Sequence, residues 1–178
     1  MTIQFKSLPN IAEGDELAIN VGSNCYFTSD ISNLTWLPDQ PYTAGGWGYI
    51  GGKAHSTTSE IYNTLDGPIY QTWREGNWSY KIDAPIGEYE IELLIADVTK
   101  PAAQLANLLN KNKEEKHSGE TRFHISICGK QVETNFSPID GGKHRTAFKR
   151  RYIIRNEHDH IVISAGAVKG EPFLAGIK

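Results

Sequence analysis

Short runs in which apolar and polar residues alternate, cut by turn-forming residues roughly every ten positions, dominate the chain. The clearest is Tyr89-Glu90-Ile91-Glu92-Leu93-Leu94-Ile95-Ala96, entered through the turn-prone Pro85-Ile86-Gly87. Upstream, Ala18-Ile19-Asn20-Val21 gives way to Gly22-Ser23-Asn24 and then Cys25-Tyr26-Phe27. The run Ile69-Tyr70-Gln71-Thr72-Trp73-Arg74 stops at Glu75-Gly76-Asn77, and Trp78-Ser79-Tyr80-Lys81-Ile82 resumes the alternation, which predicts a hairpin. Phe123 to Cys128, Gly129-Lys130 and Gln131-Val132 predict a second one. Arg151 to Ile154 and His160 to Ser164 flank the turn Asn156-Glu157-His158-Asp159, and Phe173 to Ile177 forms a last short strand. Such spacing of short β-branched and aromatic segments predicts an all-β sandwich or barrel.

One segment departs from period two. From Pro101, the residues Ala102, Leu105, Leu108 and Leu109 recur at helical spacing, which predicts an inserted helix over 101–112. The polar run 113–119 reads as a loop, and residues 1–16, polar with Pro9 and Gly14, read as a linker or N-terminal arm. The domain then occupies 17–178, as a module of a larger protein.

Composition narrows the function. With 178 residues, 39% of them hydrophobic, the chain suits one domain with its own core and falls short of the roughly 250 residues of a (β/α)8 barrel. Twenty-one acidic residues stand against 18 basic ones, and only Lys149-Arg150-Arg151 forms a basic run, so nucleic acid is not an expected partner. No run approaches the roughly 18 apolar residues of a membrane helix, and the first residues lack the order of a signal peptide. Cys25 and Cys128, far apart and outside C-x-x-C spacing, read as two buried thiols rather than a disulfide.

Catalytic signatures are missing: no G-x-S-x-G, H-E-x-x-H, phosphate-binding loop or dinucleotide fingerprint occurs. His158 and His160 share one side of an extended segment, but two ligands are too few for a zinc site. No cofactor is expected; a structural calcium held by carbonyls and Asp side chains is left open without being indicated. The N-x-[ST] triplets at Asn33, Asn77 and Asn135 read as chance. The unusual feature is aromatic. Residues 35–80 hold all four tryptophans, Trp36, Trp47, Trp73 and Trp78, together with Tyr42, Tyr49, Tyr62, Tyr70 and Tyr80. In Gly45-Gly46-Trp47-Gly48-Tyr49-Ile50-Gly51-Gly52 the rings sit among glycines, read as a loop that leaves ring faces open to a ligand. A saccharide site pairs such platforms with planar polar groups, for which Arg74, Asp39 and Asn77 lie close in sequence. The strand positions of Trp73 and Trp78 favour core packing, the glycines favour ligand contact for Trp47 and Tyr49, and Trp36 is divided between the two.

Several of these segments, in order and spacing, resemble the malectin domain: Ala18 to Gly22, Thr35-Trp36-Leu37-Pro38-Asp39, Gly46 to Tyr49, Ile69 to Arg74, Gly87 to Asp97, Arg122 to Ile127 and Pro172 to Ile177. The chain looks most like the malectin-like modules appended to bacterial family two glycoside hydrolases of the β-galactosidase type, often from gut Bacteroides. The resemblance implies a jelly-roll-type β-sandwich that binds oligo- or polysaccharide through loop aromatics, without catalysis of its own. By matching segment it implies a carbohydrate site of Trp36, Trp47, Tyr49 and Trp78, with Glu171 standing where the family has an Asp before its last strand; the residues beside the tryptophans add Arg74 to that site. It further implies a catalytic domain in cis and a periplasmic or secreted parent protein. The alternative is a structural spacer whose aromatics pack against that catalytic domain, which predicts an exposed apolar patch around Trp47.

Overall fold

The alternating segments form strands, and the computed structural model describes residues 16–98, 121–138 and 144–178. Among these residues there are twelve strands: β1 (Ile19–Asn20), β2 (Phe27–Thr28), β3 (Thr35–Pro38), β4 (Trp47–Ser56), β5 (Thr72–Asp83), β6 (Gly87–Ala96), β7 (Arg122–Ile127), β8 (Lys130–Phe136), β9 (Ala147–Asn156), β10 (His160–Lys169), β11 (Phe173–Leu174) and β12 (Gly176–Ile177). They build a β-sandwich. One sheet runs β2-β3-β1-β12-β6-β9, and the other runs β11-β5-β10-β7-β8 with β4 on the free side of β5. The predicted helix over 101–112, the loop over 113–119 and the arm up to residue 15 lie outside the described residues.

Inward-pointing residues of both sheets fill the first core. Ile19, Val21, Ile91, Leu93, Ile95 and Ile177 come from one sheet and Tyr80, Ile82, Ile125, Ile127 and Ile163 from the other. A second cluster lies on the opposite side of β6: Leu94 and Ala96 pack with Ala18, Trp36, Ala147 and Ala175 and with Ile61, Ile69 and Tyr70. Strand β6 is thus buried on both faces from Ile91 onward, which accounts for its nearly continuous apolar run. Each of the large side chains so buried contributes on the order of 1.5–3 kcal/mol.

The hairpin expected around Glu75-Gly76-Asn77 does not form. Strand β5 continues through these residues for 12 positions, and Ile69 and Tyr70 belong instead to a single helical turn, α1 (Gly67–Tyr70), opened by Pro68. Composition signalled a turn there, but β4 pairs along the whole of β5, from Trp47↔Ile82 to Ser56↔Thr72, and holds it extended. The second hairpin does form: β7 and β8 pair through Ile127↔Lys130, with Cys128 and Gly129 both at positive φ in the turn. Strands β9 and β10 flank the expected turn but belong to different sheets. The fully buried Asn156 holds that crossing, its amide donating to the carbonyls of Pro85 (3.0 Å) and His158 (2.8 Å). Both thiols are free as expected; Cys25, however, is exposed and Cys128 only half-buried, because each lies at a turn rather than inside a strand.

Near its end the chain steps from one sheet to the other. Phe173–Leu174 pairs with β5, and after Ala175, Gly176–Ile177 pairs with β6 and β1. A β-carbon on Gly176 would lie 3.1 Å from Trp36 Cζ3 and 3.2 Å from Leu94 Cβ. Gly176→Ala is therefore expected to lower stability by about 1–3 kcal/mol through overpacking, read from the urea midpoint at unchanged slope.

Candidate binding site

The aromatic segment does not stay outside the core. The run 45–52, read as a loop, belongs mostly to β4, an edge strand hydrogen-bonded to β5. Its glycines serve close approach rather than looseness. Gly48, at φ 156°, has the Gln40 carbonyl oxygen 2.5 Å from where a β-carbon would sit. Gly52, at φ 67°, faces Arg74 Cγ at 2.7 Å in the same sense. Trp36, Trp47 and Trp78 are buried, at 4%, 4% and 2% relative exposure.

That burial agrees with the core packing favoured for Trp78, decides Trp36 for the core, and corrects the expectation that Trp47 is an open platform. Trp36 lies in the second cluster, apart from Trp47 and Trp78, which belong to the first. Trp78 donates its indole N–H to the Pro172 carbonyl at 3.2 Å and meets Tyr80 edge-on at 6.1 Å. Trp47 Nε1 is buried with no hydrogen-bond partner, a cost of about 1–3 kcal/mol that the packing of its ring must offset. Trp47 itself adds nothing to the exposed patch expected of a spacer, though Ile50 on the same strand is 52% exposed. Glu171 is exposed, with Oε2 3.5 Å from the β-carbon position of Gly76.

Arg74 and Asp39 do meet, but they bind each other. Arg74 Nε and Nη2 donate to Asp39 Oδ2 at 3.1 and 2.8 Å, and the two side chains are 5% and 3% exposed. The Tyr80 hydroxyl lies 3.0 Å from both carboxylate oxygens, and the Gly22 amide donates to Oδ2 at 2.8 Å. Arg74 Nη1 donates to the carbonyls of Gly51 and Gly52, each at 3.2 Å, and the guanidinium lies 3.3 Å over the Tyr49 ring. Neither Arg74 nor that face of Tyr49 is free for a ligand. Burial disfavours the charged guanidinium, but the hydrogen bonds and charge of Asp39 outweigh it and raise its pKa. Burial first, then the Asp39 charge, pushes the Tyr80 hydroxyl far above its ordinary value.

A different cluster is exposed beside this network. A bulge between Gly51 and Lys53 sets His55 opposite Trp73 and Lys53 opposite Glu75. The His55 and Trp73 rings stack at 5.6 Å and 20°. His55 Nε2 lies 3.3 Å from Glu75 Oε2, with the two side chains 41% and 30% exposed. Trp73, for which the strand position favoured the core, is half-buried and packs against both clusters, the one indole of the four that is not fully buried. The sequence singled out Trp73 but favoured the core for it and passed over His55, whose only signal was its place three residues past the Gly51-Gly52 pair. His158 and His160 stack at 6.1 Å, and His160 Nδ1 lies 2.6 Å from Asp159, whose exposed carboxyl is held below its usual range by that hydrogen bond. No group of three or more metal-ligating side chains exists among the described residues.

Two outcomes test the buried network. Arg74→Met leaves the Asp39 charge uncompensated and is expected to cost about 3–5 kcal/mol, measured by urea denaturation. Tyr80 keeps its proton in the folded state above pH 10, whereas the unfolded chain loses it near 10, so its contribution is complete below that pH and falls as pH rises. The expected loss is about 1.4 kcal/mol by pH 11, and Tyr80→Phe should shrink the difference in stability between pH 9 and 11 by that amount.

Comparison with known proteins follows the same outline. The family model described as the Malectin domain matches residues 16–177. Among solved structures, Bacteroides uniformis β-glucuronidase 2 bound covalently to cyclophellitol-6-carboxylate aziridine is 45% identical at a TM-score of 0.79, over 93% of this chain and 17% of that one. A second Bacteroides uniformis β-glucuronidase structure gives the same identity and TM-score over 93% and 18%. These neighbours are described as β-glucuronidases, where the resemblance pointed to the β-galactosidase type. ANXUR1 extracellular domain from Arabidopsis thaliana, 18% identical at a TM-score of 0.62 over 90% of this chain and 46% of that one, shares the fold. The chain thus spans less than a fifth of the β-glucuronidases it matches. No curated protein matches it. With 162 consecutive residues under one family model and a two-sheet sandwich beneath them, the chain belongs to the malectin-domain family.

Proposed function

We propose that this chain is a noncatalytic carbohydrate-binding module of a larger glycoside hydrolase, working in cis with a catalytic domain in a periplasmic or secreted protein. The observation that carries the reading is the joint match: a malectin-domain model over 16–177 and 45% identity to a segment filling under a fifth of bacterial β-glucuronidases. Binding a glycan beside the catalytic domain raises the local concentration of cleavable bonds, so a weak contact is enough. The parent reaction proposed from these neighbours is hydrolysis of a β-glycoside, with glucuronides the first substrates to try.

Burial of Trp36, Trp47 and Trp78 takes away the expected stacking platforms, and the exposed Ile50 three residues past Trp47 favours a second reading, that of a structural spacer. Under it, the exposed Ile86 and Ile153, at 69% and 79%, face the catalytic domain rather than water.

Calorimetric titration of the chain against plant and host oligosaccharides separates the two. The binding reading expects a saturable signal with a change in tryptophan emission; no signal from any glycan overturns it and leaves the spacer.

A further inference from the structure

Among the described residues, aromatic rings, a carboxylate and a lysine come together at the outer end of the β4–β5 pair. His55 stacks on Trp73, and 41% of its side chain remains exposed. Lys53 and His55 alternate along β4 and share a face about 7 Å apart. Glu75 is the cross-strand partner of Lys53 and holds the edge of His55 through Nε2. The cluster is braced from beneath: Arg74, between Trp73 and Glu75 in sequence, is locked on Asp39 and donates to both carbonyls at the start of the bulge. Its ring stack is held by strand register and a buried ion pair rather than by a loose loop, which is the preorganisation a weak saccharide contact needs.

We propose that His55, Trp73, Lys53 and Glu75 form a glycan-contact subsite for a neutral hexopyranose. This rests on the reading of the chain as a glycan-binding module. The imidazole stacked on Trp73 offers a flat platform to the C–H face of a sugar ring. On the neighbouring rung of the β4–β5 pair Lys53 donates to hydroxyls and its cross-strand partner Glu75 accepts from them. Because these two charges cancel, a neutral ring meets no net field, whereas the carboxylate of a uronate lying over His55 would meet Glu75, whose Oε2 is 3.3 Å from the imidazole Nε2. The module then holds a neutral part of the glycan even where the parent enzyme cleaves an acidic residue.

The test uses the wild-type chain with nuclear magnetic resonance of the His55 imidazole and the Trp73 indole N–H. The probes are β-linked glucosyl and galactosyl disaccharides and a β-glucuronyl disaccharide. The expected result is saturable shifts at both residues with a neutral probe and weaker binding of the glucuronyl one. His55→Ala, on an exposed edge strand, should raise the dissociation constant about fivefold, and Glu75→Gln should narrow the gap between neutral and acidic probes. Glycan binding that leaves both resonances unmoved and His55→Ala unaffected overturns the subsite while the module's function stands. Tighter binding of the glucuronyl probe overturns the charge argument. No binding of any glycan overturns the function and the subsite with it.

Discussion

A carboxylate out of water is tolerated only where hydrogen bonds and an opposite charge answer it, and Asp39 meets that condition by drawing three parts of the chain to one point. Arg74 of β5, Tyr80 of the same strand and the Gly22 amide after β1 all converge on it from the end of β3. Arg74 in turn reaches the carbonyls of Gly51 and Gly52 in β4. In a low-dielectric interior the Coulombic attraction of such a pair is large, but so is the cost of desolvating it, so its worth lies in geometry as much as in free energy. Geometry is what it supplies here: the bulge of β4 sits where Arg74 can cross beneath glycines that carry no β-carbon. The price is that the most ligand-like cation of the sequence is committed to the interior.

The tryptophans follow from the same economy of space. A sandwich of this size has two thin layers, and β6 must be covered on both faces. Trp47 and Trp78 fill the space between the sheets, while Trp36 fills the second cluster beneath Ile61, Ile69 and Tyr70. An indole buries more apolar area than any other side chain, and three of them in these positions do the work of several aliphatic residues. Sugar binding through the same rings would require them to be in two places. What remains outside is the ring pair on the β4–β5 edge, one indole covered on one face by an imidazole.

Much of the architecture was legible because a strand half-buried against a core must alternate: β6, β7, β10 and the ends of β5 stand where the pattern put them. The failures share one cause. Glycine reports that a side chain is not wanted, not why. Around Gly76 and through Gly45 to Gly52 the absence was read as freedom, whereas Gly48 and Gly52 mark contacts too close for a β-carbon. The same ambiguity turned Trp47 from a core residue into a platform. Asp39 and Arg74 were picked out as a polar pair flanking the tryptophans, but sequence cannot say whether two opposite charges face a ligand or one another. That depends on strand register, and the register rests on the whole β4–β5 pairing.

The edge position of β4 has a consequence for how a module of this kind can bind. An edge strand leaves backbone groups unpaired and invites other strands, and natural sheets blunt such edges with charge, glycine and bulges. Lys53, the Gly51-Gly52 bulge and the His55–Glu75 pair do so here. A surface built to repel strands is narrow and polar, and it suits a small rigid ring better than an extended peptide. Weak affinity at one such ring is no obstacle when the module is covalently joined to its enzyme, because tethering multiplies it by an effective concentration that a free domain would lack. The same bulge that blunts this edge sets His55 opposite Trp73, the register on which the proposed subsite rests.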